Sequence, residues 1–436
     1  MRRSSAKPSL WVLAVREREA DVIVVGGGPA GLAAASSCKE AGLEVLLVER
    51  EGSLGGILPQ CIHTGFGILE TKEDYTGPEF AEMLEKRARD LGVEILLDSY
   101  VSRLSQVGGC GASIEVLSPR GVETMRASTL IFSTGCRERN AFEIGITGDR
   151  PAGVMTAGTA QALMDLYGLL PGREVVVVGS GDVGLIMSRR FALEGAKVKA
   201  VVEITRYPGG LTRNVVQCLE DFGIPMLLSH AVLEVRGRKR VESVVVSEVD
   251  EKQGPVPGTE SEIECDTLVV AAGLVPEAGL LEKAGAKIDP LTGGPFVNEF
   301  LETSLRGVFA CGNVLVVNDL VDHAVEQGRL CAMSAKSLIE GTMRRPSAWK
   351  RAVPGENVRF VVPHLFSGDR DTVFYSRVRS PMRDCSLSFN EIDKEVRIRA
   401  AMPAEMVRVR IEGSLLSGVG EALTFEVRGW PKGKRG

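Results

Sequence analysis

Asp21-Val22-Ile23-Val24-Val25-Gly26-Gly27-Gly28-Pro29-Ala30-Gly31 is an apolar strand that breaks into a G-x-G-x-x-G turn and opens a helix of small residues. That helix, Gly31 to Glu40, stops at Gly42. A second apolar run, Glu44-Val45-Leu46-Leu47-Val48, then ends in Glu49, 23 residues past Gly26. The whole pattern returns later in the chain. Glu174-Val175-Val176-Val177-Val178 leads into Gly179-Ser180-Gly181-Asp182-Val183-Gly184, a helix runs to Leu193, Gly195 stops it, and the strand from Val198 ends at Glu203, 24 residues past Gly179. One such turn could be a ligand-free bend. Two complete strand, turn, helix, strand and acid units argue against accident.

The spacing carries a chemical requirement. The first glycine turns tightly off the strand, the second admits a pyrophosphate close to the backbone, and the third lets helix and strand pack. The pyrophosphate rests on helix N–H groups that lack an intrahelical partner, at the positive end of the dipole. A carboxylate about 20 residues on takes the adenosine ribose hydroxyls. Two dinucleotide sites in one polypeptide imply two redox carriers that exchange electrons.

The 436 residues, 44% of them apolar, are ample for two or three domains. No apolar stretch is long enough to cross a bilayer. The run Leu10-Trp11-Val12-Leu13-Ala14-Val15 is too short for a secretory core and is followed at once by Arg16-Glu17-Arg18-Glu19, so residues 1–20 read as a frayed extension. A net charge of −5 argues against nucleic acid as a partner. Nine cysteines without a C-x-x-C pair fit a reducing cytoplasm, and argue against a disulfide framework, a metal site or a clustered iron–sulfur ligand set. Cys38, Cys218, Cys265, Cys311 and Cys331 lie in apolar surroundings and read as small core residues.

Residues 21–150 hold the first nucleotide unit with a hairpin insertion (Val93 to Asp98, Ser113 to Leu117, Val122 to Arg126), closing on Thr129-Leu130-Ile131-Phe132-Ser133-Thr134-Gly135. Residues 151–273 hold the second unit, which closes on the matching strand Thr267 to Gly273. Residues 274–345 carry Thr303 to Asn313 and a long helix from about Asp319 to Ile339. From 346 to 436 short alternating strands with Gly, Pro and Asp turns predict a small all-β module.

On these residues the chain resembles the two-dinucleotide-binding flavoproteins, the pyridine-nucleotide-dependent FAD oxidoreductases, over about residues 21–345. The resemblance implies an α/β fold of two Rossmann-like domains, FAD and NAD(P), the second inserted in the first, with the small C-terminal all-β module appended. It implies that Gly26, Gly28, Pro29, Ala30, Gly31, Glu49, Arg50, Gly55, Gly56, Thr134, Gly135, Gly312 and Asn313 serve FAD, with Asn313 where the family usually has Asp. Gly179, Gly181, Asp182, Val183, Gly184, Glu203 and Gly273 would serve NAD(P)H. Glu203 favours NADH because a carboxylate repels a 2′-phosphate, an effect that Arg206 partly offsets. The segments Leu54 to Gly67, Thr156 to Gln161 and Tyr207 to Asn214 look like a flavoprotein subfamily found with glycerol-3-phosphate dehydrogenases, and similar to the FAD/NAD-binding subunits of dye-linked amino-acid dehydrogenases, opine oxidases and hydrogen cyanide synthase.

Glutathione-type disulfide reductases need C-x-x-x-x-C after the glycine-rich segment. Here Cys61 stands alone, with His63 and Phe66 following. Thr159 to Gly172 contains no cysteine either, so a dithiol relay is not expected. Cys61 and His63 are either redox or proton-transfer groups beside the flavin or members of a structural contact loop. Cys136, Arg137 and Arg139, directly after Thr134-Gly135, are either close to the cofactor phosphates or the interdomain cleft or part of a solvated charge cluster, while His230 and His364 read as structural.

The leading expectation is an NADH-linked FAD oxidoreductase working as an electron-transfer subunit beside a substrate-oxidising dehydrogenase acting on glycerol 3-phosphate or an amino or imino acid, with a homo-oligomer also open. A stand-alone NADH:acceptor reductase or oxidase using Cys61 is one alternative. A nucleotide-binding structural subunit without hydride transfer is another. The small-molecule redox substrate is not named by the sequence.

Overall fold

The computed structural model describes residues 16–107 and 111–430. The first sheet runs, in spatial order, Glu94–Leu96, Val45–Val48, Arg16–Val25, Gly121–Phe132, Gly111–Ser118 and Tyr100–Val107, with Val308–Ala310 also paired to Gly121–Phe132. Val22 to Val25 lie parallel and in register with Val45 to Val48 on one side and Thr129 to Phe132 on the other. Val22, Ile23 and Val24 are all fully buried. Successive strand residues point to opposite faces, so both faces of this sheet are covered, which is why the run is continuously apolar rather than alternating.

Two sequence expectations change here. Val93 to Asp98, read as part of the hairpin insertion, supplies the parallel strand Glu94–Leu96 beside Val45–Val48. The antiparallel meander is instead Tyr100–Val107, Gly111–Ser118 and the first half of Gly121–Phe132. Residues Arg16 to Ala20, read as extension, pair with Glu123 to Ala127 and lengthen the central strand. Residues 1–15 of that extension lie outside the described residues.

The inserted unit has a five-stranded parallel sheet ordered Val154–Thr156, Thr267–Val270, Glu174–Val178, Lys197–Glu203, Met226–Leu228. Val175 and Val177 pack with Ala160, Leu185 and Phe191 of the helices Ala157–Asp165 and Asp182–Leu193. Val176, between them, packs the other way against Val232, Val244 and Val246 of a second, four-stranded sheet. Ala141 and Ile146 belong to this same core, so the segment after the first crossing packs with the inserted unit.

The chain leaves the first unit on Cys136–Glu138 and returns on Leu274–Pro276, and the two crossings pair antiparallel. The long helix Val321–Ile339 then packs along the first turn helix, Pro29–Glu40. A Cβ on Gly328 would lie 2.3 Å from Ala30 O, so glycine sets how closely those two helices cross. The C-terminal module is a five-stranded and a three-stranded sheet around an edge-packed aromatic core, Phe366, Phe374, Phe425 and Phe389, with centroids 4.9–5.7 Å apart.

Candidate functional site

At the first turn, Gly26 has φ +104, and a Cβ there would sit 2.5 Å from Ser133 O. A Cβ on Gly31 would lie 1.9 Å from Gly26 O. Gly28 differs: its Cβ direction meets nothing closer than Gly56 Cα at 3.9 Å, so the backbone is open where a phosphate must approach. Pro29 and Ala30 begin the helix, and no side chain caps its N-terminus, which leaves the first N–H groups for an anion. The Gly55-Gly56 pair folds back over this turn. Gly55 N–H donates to Gly27 O at 2.9 Å, and Gly56 is close enough that its Cβ would come 3.1 Å from Gly28 Cα.

Glu49 is buried at the end of its strand. Oε2 accepts the Gly27 N–H at 2.6 Å and Oε1 accepts the Glu51 N–H at 2.9 Å. One lone pair on each oxygen remains for a vicinal diol. Arg50 is exposed and pairs with Glu51 at 3.2 Å. From the far side, Gly312 N–H donates to Gln327 Oε1 at 2.9 Å. Asn313 Oδ1 accepts the Asn318 N–H at 3.0 Å, while its Nδ2 lies 3.4 Å from Cys136 Sγ. Thr134 Oγ1 donates to Glu277 O and Gly135 O accepts the Glu277 N–H, both at 2.9 Å, which ties the root of the first crossing to the second.

The second turn repeats the first. Gly184 would place a Cβ 2.2 Å from Gly179 O, and nothing lies within 4 Å of a Cβ on Gly181. Gly209-Gly210 covers this turn as Gly55-Gly56 covers the other. A Cβ on Gly209 would stand 3.3 Å from Gly181 N, and one on Gly210 3.0 Å from Asp182 N. Gly209 is six residues past Glu203, as Gly55 is six past Glu49. That spacing is the signal in the sequence that marks Gly209 and Gly210 as the cover of the second turn. Asp182 Oδ1 accepts Leu211 N–H at 2.8 Å and Asn214 Nδ2 at 2.7 Å, holding the loop. Val183 is exposed beside it. Glu203 is buried and gripped by Ser180 and Thr205, two residues that the motif does not mark. Gly273 O accepts the Arg139 N–H at 3.1 Å at the return crossing.

Cys61 and His63 lie on a loop between the two units. Gln60 Nε2 donates to Gly158 O and Gln161 Oε1, both at 3.1 Å, and Glu138 Oε1 accepts the Gly158 N–H at 2.8 Å, so the loop and the crossing strand both hold the inserted helix. Burial, with a smaller push from Asp165 and against a hydrogen bond from Gln161, raises the Cys61 thiol to about 11. A Cys61 thiolate is therefore not favoured at neutral pH. His63 Nδ1 lies 2.9 Å from Thr64 O, and its ring is 5.1 Å from Phe66. Arg137 pairs with Glu143 at 2.8 Å and Glu277 at 3.4 Å, so its charge is occupied. His364 accepts the Val297 N–H at 3.0 Å within the seam of the module.

The family model described as pyridine nucleotide-disulphide oxidoreductase matches residues 20–328. The chain belongs to that family. It is an FAD-dependent NAD(P)H oxidoreductase with the family's two-domain fold. Among its relatives, the mitochondrial dihydrolipoyl dehydrogenase of Caenorhabditis elegans is 26% identical over 351 residues, 72% of this chain and 67% of that one. Hydrogen cyanide synthase subunit HcnB of Pseudomonas aeruginosa is 26% identical over 287 residues, 60% of this chain and 59% of that one. Of solved structures, the thioredoxin reductase of T. acidophilum superposes with a TM-score of 0.62 at 25% identity, covering 73% of this chain and 98% of that one. The oxidoreductase match ends at residue 328, before the β module. No helix of the described residues is long and apolar enough to cross a membrane.

Proposed function

We propose that the first turn holds FAD as a resident cofactor and the second binds NAD(P)H reversibly, and that the protein passes electrons to or from a partner dehydrogenase. Gly26, Gly28, Gly31 and Glu49 would hold the adenosine and pyrophosphate of FAD, with Gly312 closing the site from the returning segment and Thr134 from the root of the first crossing. When both are bound, the cofactors supply hydride transfer between nicotinamide and flavin. The residues of this chain orient the two rings, exclude water and fix the relation of the two units through Gln60, Gln161 and Glu138.

The observation that carries this reading is the pair of unequal cradles joined by the Cys136–Glu138 and Leu274–Pro276 ribbon. The first cradle is completed by a returning segment; the second is self-contained. A role outside dithiol chemistry is supported by the solitary Cys61, whose thiol is pushed up to about 11 by burial. That value also weighs against a stand-alone reductase working through a Cys61 thiolate. A partner subunit is supported by the name of one relative, a subunit of hydrogen cyanide synthase. The proposed substrate of that partner is glycerol 3-phosphate or an amino or imino acid, oxidised in the cytoplasm.

Purified protein should be yellow, and its flavin absorbance should bleach on anaerobic addition of NADH or NADPH. Bound flavin that neither nucleotide reduces would leave a nucleotide-binding subunit without hydride transfer as the better reading. Affinity purification from the source cell, with assay of glycerol 3-phosphate, proline and sarcosine oxidation, tests the partner.

A further inference from the structure

The inserted unit is a sandwich of two sheets that share one apolar core. Thr147–Gly148 is the edge strand of the four-stranded sheet, and Val154–Thr156 is an edge strand of the five-stranded one. Residues 149–153 carry the chain from one to the other, so both edges lie on the same side of the sandwich. Between them opens a cavity of about 360 Å³, a size suited to a small molecule. Ile146, Val154, Val235 and Val270 line it, with Ala141 and Met155, so its walls are apolar. The space between facing sheets is normally one layer of interlocking side chains. A slot of that thickness takes an alkyl chain or a single ring, and not a nucleotide. None of the lining residues belongs to either glycine turn.

The mouth supplies a cation. Arg150 belongs to the lining, and its Cζ lies over the Phe142 ring, 4.7 Å from the centroid. Phe142 is 62% exposed, so an aromatic face and a guanidinium are held together at the entrance. Asn140 Oδ1 fixes that corner by accepting the N–H groups of Phe142 at 3.0 Å and Glu143 at 3.2 Å. Among the described residues no carboxylate pairs with Arg150. Glu143 is already held by Arg137 at 2.8 Å. Asp149, the one acid of the lining, accepts the Gly237 N–H with Oδ2 at 3.0 Å. Stacking on a ring uses the face of a guanidinium and leaves its in-plane N–H donors for an anion. A carboxylate matches that fork with two parallel hydrogen bonds.

We propose that this cavity binds a small carboxylate with an apolar body, a medium-chain aliphatic or aryl-alkyl acid. The body lies between the two sheets, and the carboxylate pairs with Arg150 beside Phe142. The apolar walls give the affinity by burial, and Arg150 gives the selection for an acid. The assignment goes beyond the redox reading and stands whatever the two glycine turns hold.

The test is calorimetric titration of the full chain, purified with its flavin, with octanoate and with hydrocinnamate. At least one of the acids should bind saturably at a single site. Octanol, which matches octanoate in length without its charge, should bind at least about tenfold more weakly than octanoate. Arg150→Ala should weaken the acid by about the same factor and leave octanol unchanged. Ala141→Leu, which fills the cavity, should remove acid and alcohol alike while flavin content and circular dichroism stay as in wild type. Failure of both acids to bind saturably overturns the proposal, and so does an affinity that Arg150→Ala does not change. Octylamine binding more tightly than octanoate would assign recognition to Asp149 and overturn it. Loss of acid binding under saturating ADP-ribose would place the acids at a nucleotide turn and overturn it as well.

Discussion

Asp322, on the first turn of the long helix, accepts the backbone N–H of Leu69 with Oδ1 at 2.9 Å, and the same oxygen accepts the N–H of Glu70 at 2.9 Å. Arg329, two turns further on, pairs with Glu70 through both nitrogens of its guanidinium fork. The short helix Ile68–Thr71, which follows the loop carrying Cys61 and His63, is thus fastened to the helix that follows the Gly312-Asn313 segment.

Replacing Asp322 by Ala leaves two N–H groups without their acceptor beneath a residue that is only 6% exposed. The cost is expected at about 1–3 kcal/mol, read as a lower Tm by circular dichroism. Asp322→Asn keeps an acceptor oxygen and should recover part of the loss. An alanine variant as stable as wild type would show that the short helix is held by other contacts.

The two glycine turns should fail separately. Gly31→Ala drives a Cβ to 1.9 Å from Gly26 O; FAD retention should fall about 100-fold, equivalent to about 2.7 kcal/mol. Gly184→Ala makes the corresponding clash at 2.2 Å from Gly179 O. This second variant should stay yellow and bleach poorly with either nicotinamide nucleotide. Loss of flavin from both variants alike, measured by absorbance after gel filtration, would count against two independent sites.

Buried thiols make the fold sensitive to alkali. Burial, with a smaller contribution from Cys311, pushes Cys38 up to about 12, and burial pushes Cys265 up to about 11, from an ordinary 9.0. Between pH 9 and 11 the unfolded chain has lost these protons and the folded chain has kept them. Stability therefore falls as pH rises, by about 1.4 kcal/mol per thiol per pH unit. Urea midpoints at pH 8, 9 and 10 check this, and a Cys265→Ala variant should flatten the slope. A midpoint constant to pH 10 would contradict it.

The seam of the β module should open in acid. Glu326 accepts Tyr375 Oη at 2.7 Å and a bidentate pair from Arg408. Burial alone would raise this carboxyl, but Arg408 and Tyr375 outweigh it and hold the group below its ordinary 4.5. The stabilisation is complete above pH 4.5 and is lost as pH falls through the lower folded value. Limited proteolysis should release the module at pH 3.5 before the nucleotide domains are cut, and Glu326→Gln should do so at neutral pH. Resistance of that variant at pH 7 would assign the seam to other contacts, such as Glu299 with Ser367.

Much of this was legible in the chain. The parallel sheets follow from continuous Val, Ile and Leu runs, because a strand buried on both faces cannot alternate. The glycine positions follow from sterics, since Gly31 and Gly184 stand where a single Cβ would strike backbone. The strand-end glutamates follow from spacing along one βαβ unit. Glu94 to Leu96 was misread because three residues of strand look alike in a hairpin and in a parallel edge, and only the partner strand distinguishes them.

The sequence by itself determined that two dinucleotide units exist, where their turns lie, and that Cys61 has no partner cysteine beside it, because each depends on residues near one another along the chain. Tertiary structure decided how each acid is used. Glu49 keeps lone pairs for a ligand while Glu203 gives its own to Ser180, 23 residues away, and to Thr205. It also decided that the module touches Tyr207 through Arg379, 172 residues on. Hydrogen-bond saturation and cross-domain contact depend on which groups folding brings within about 3 Å, and spacing along the chain does not encode that.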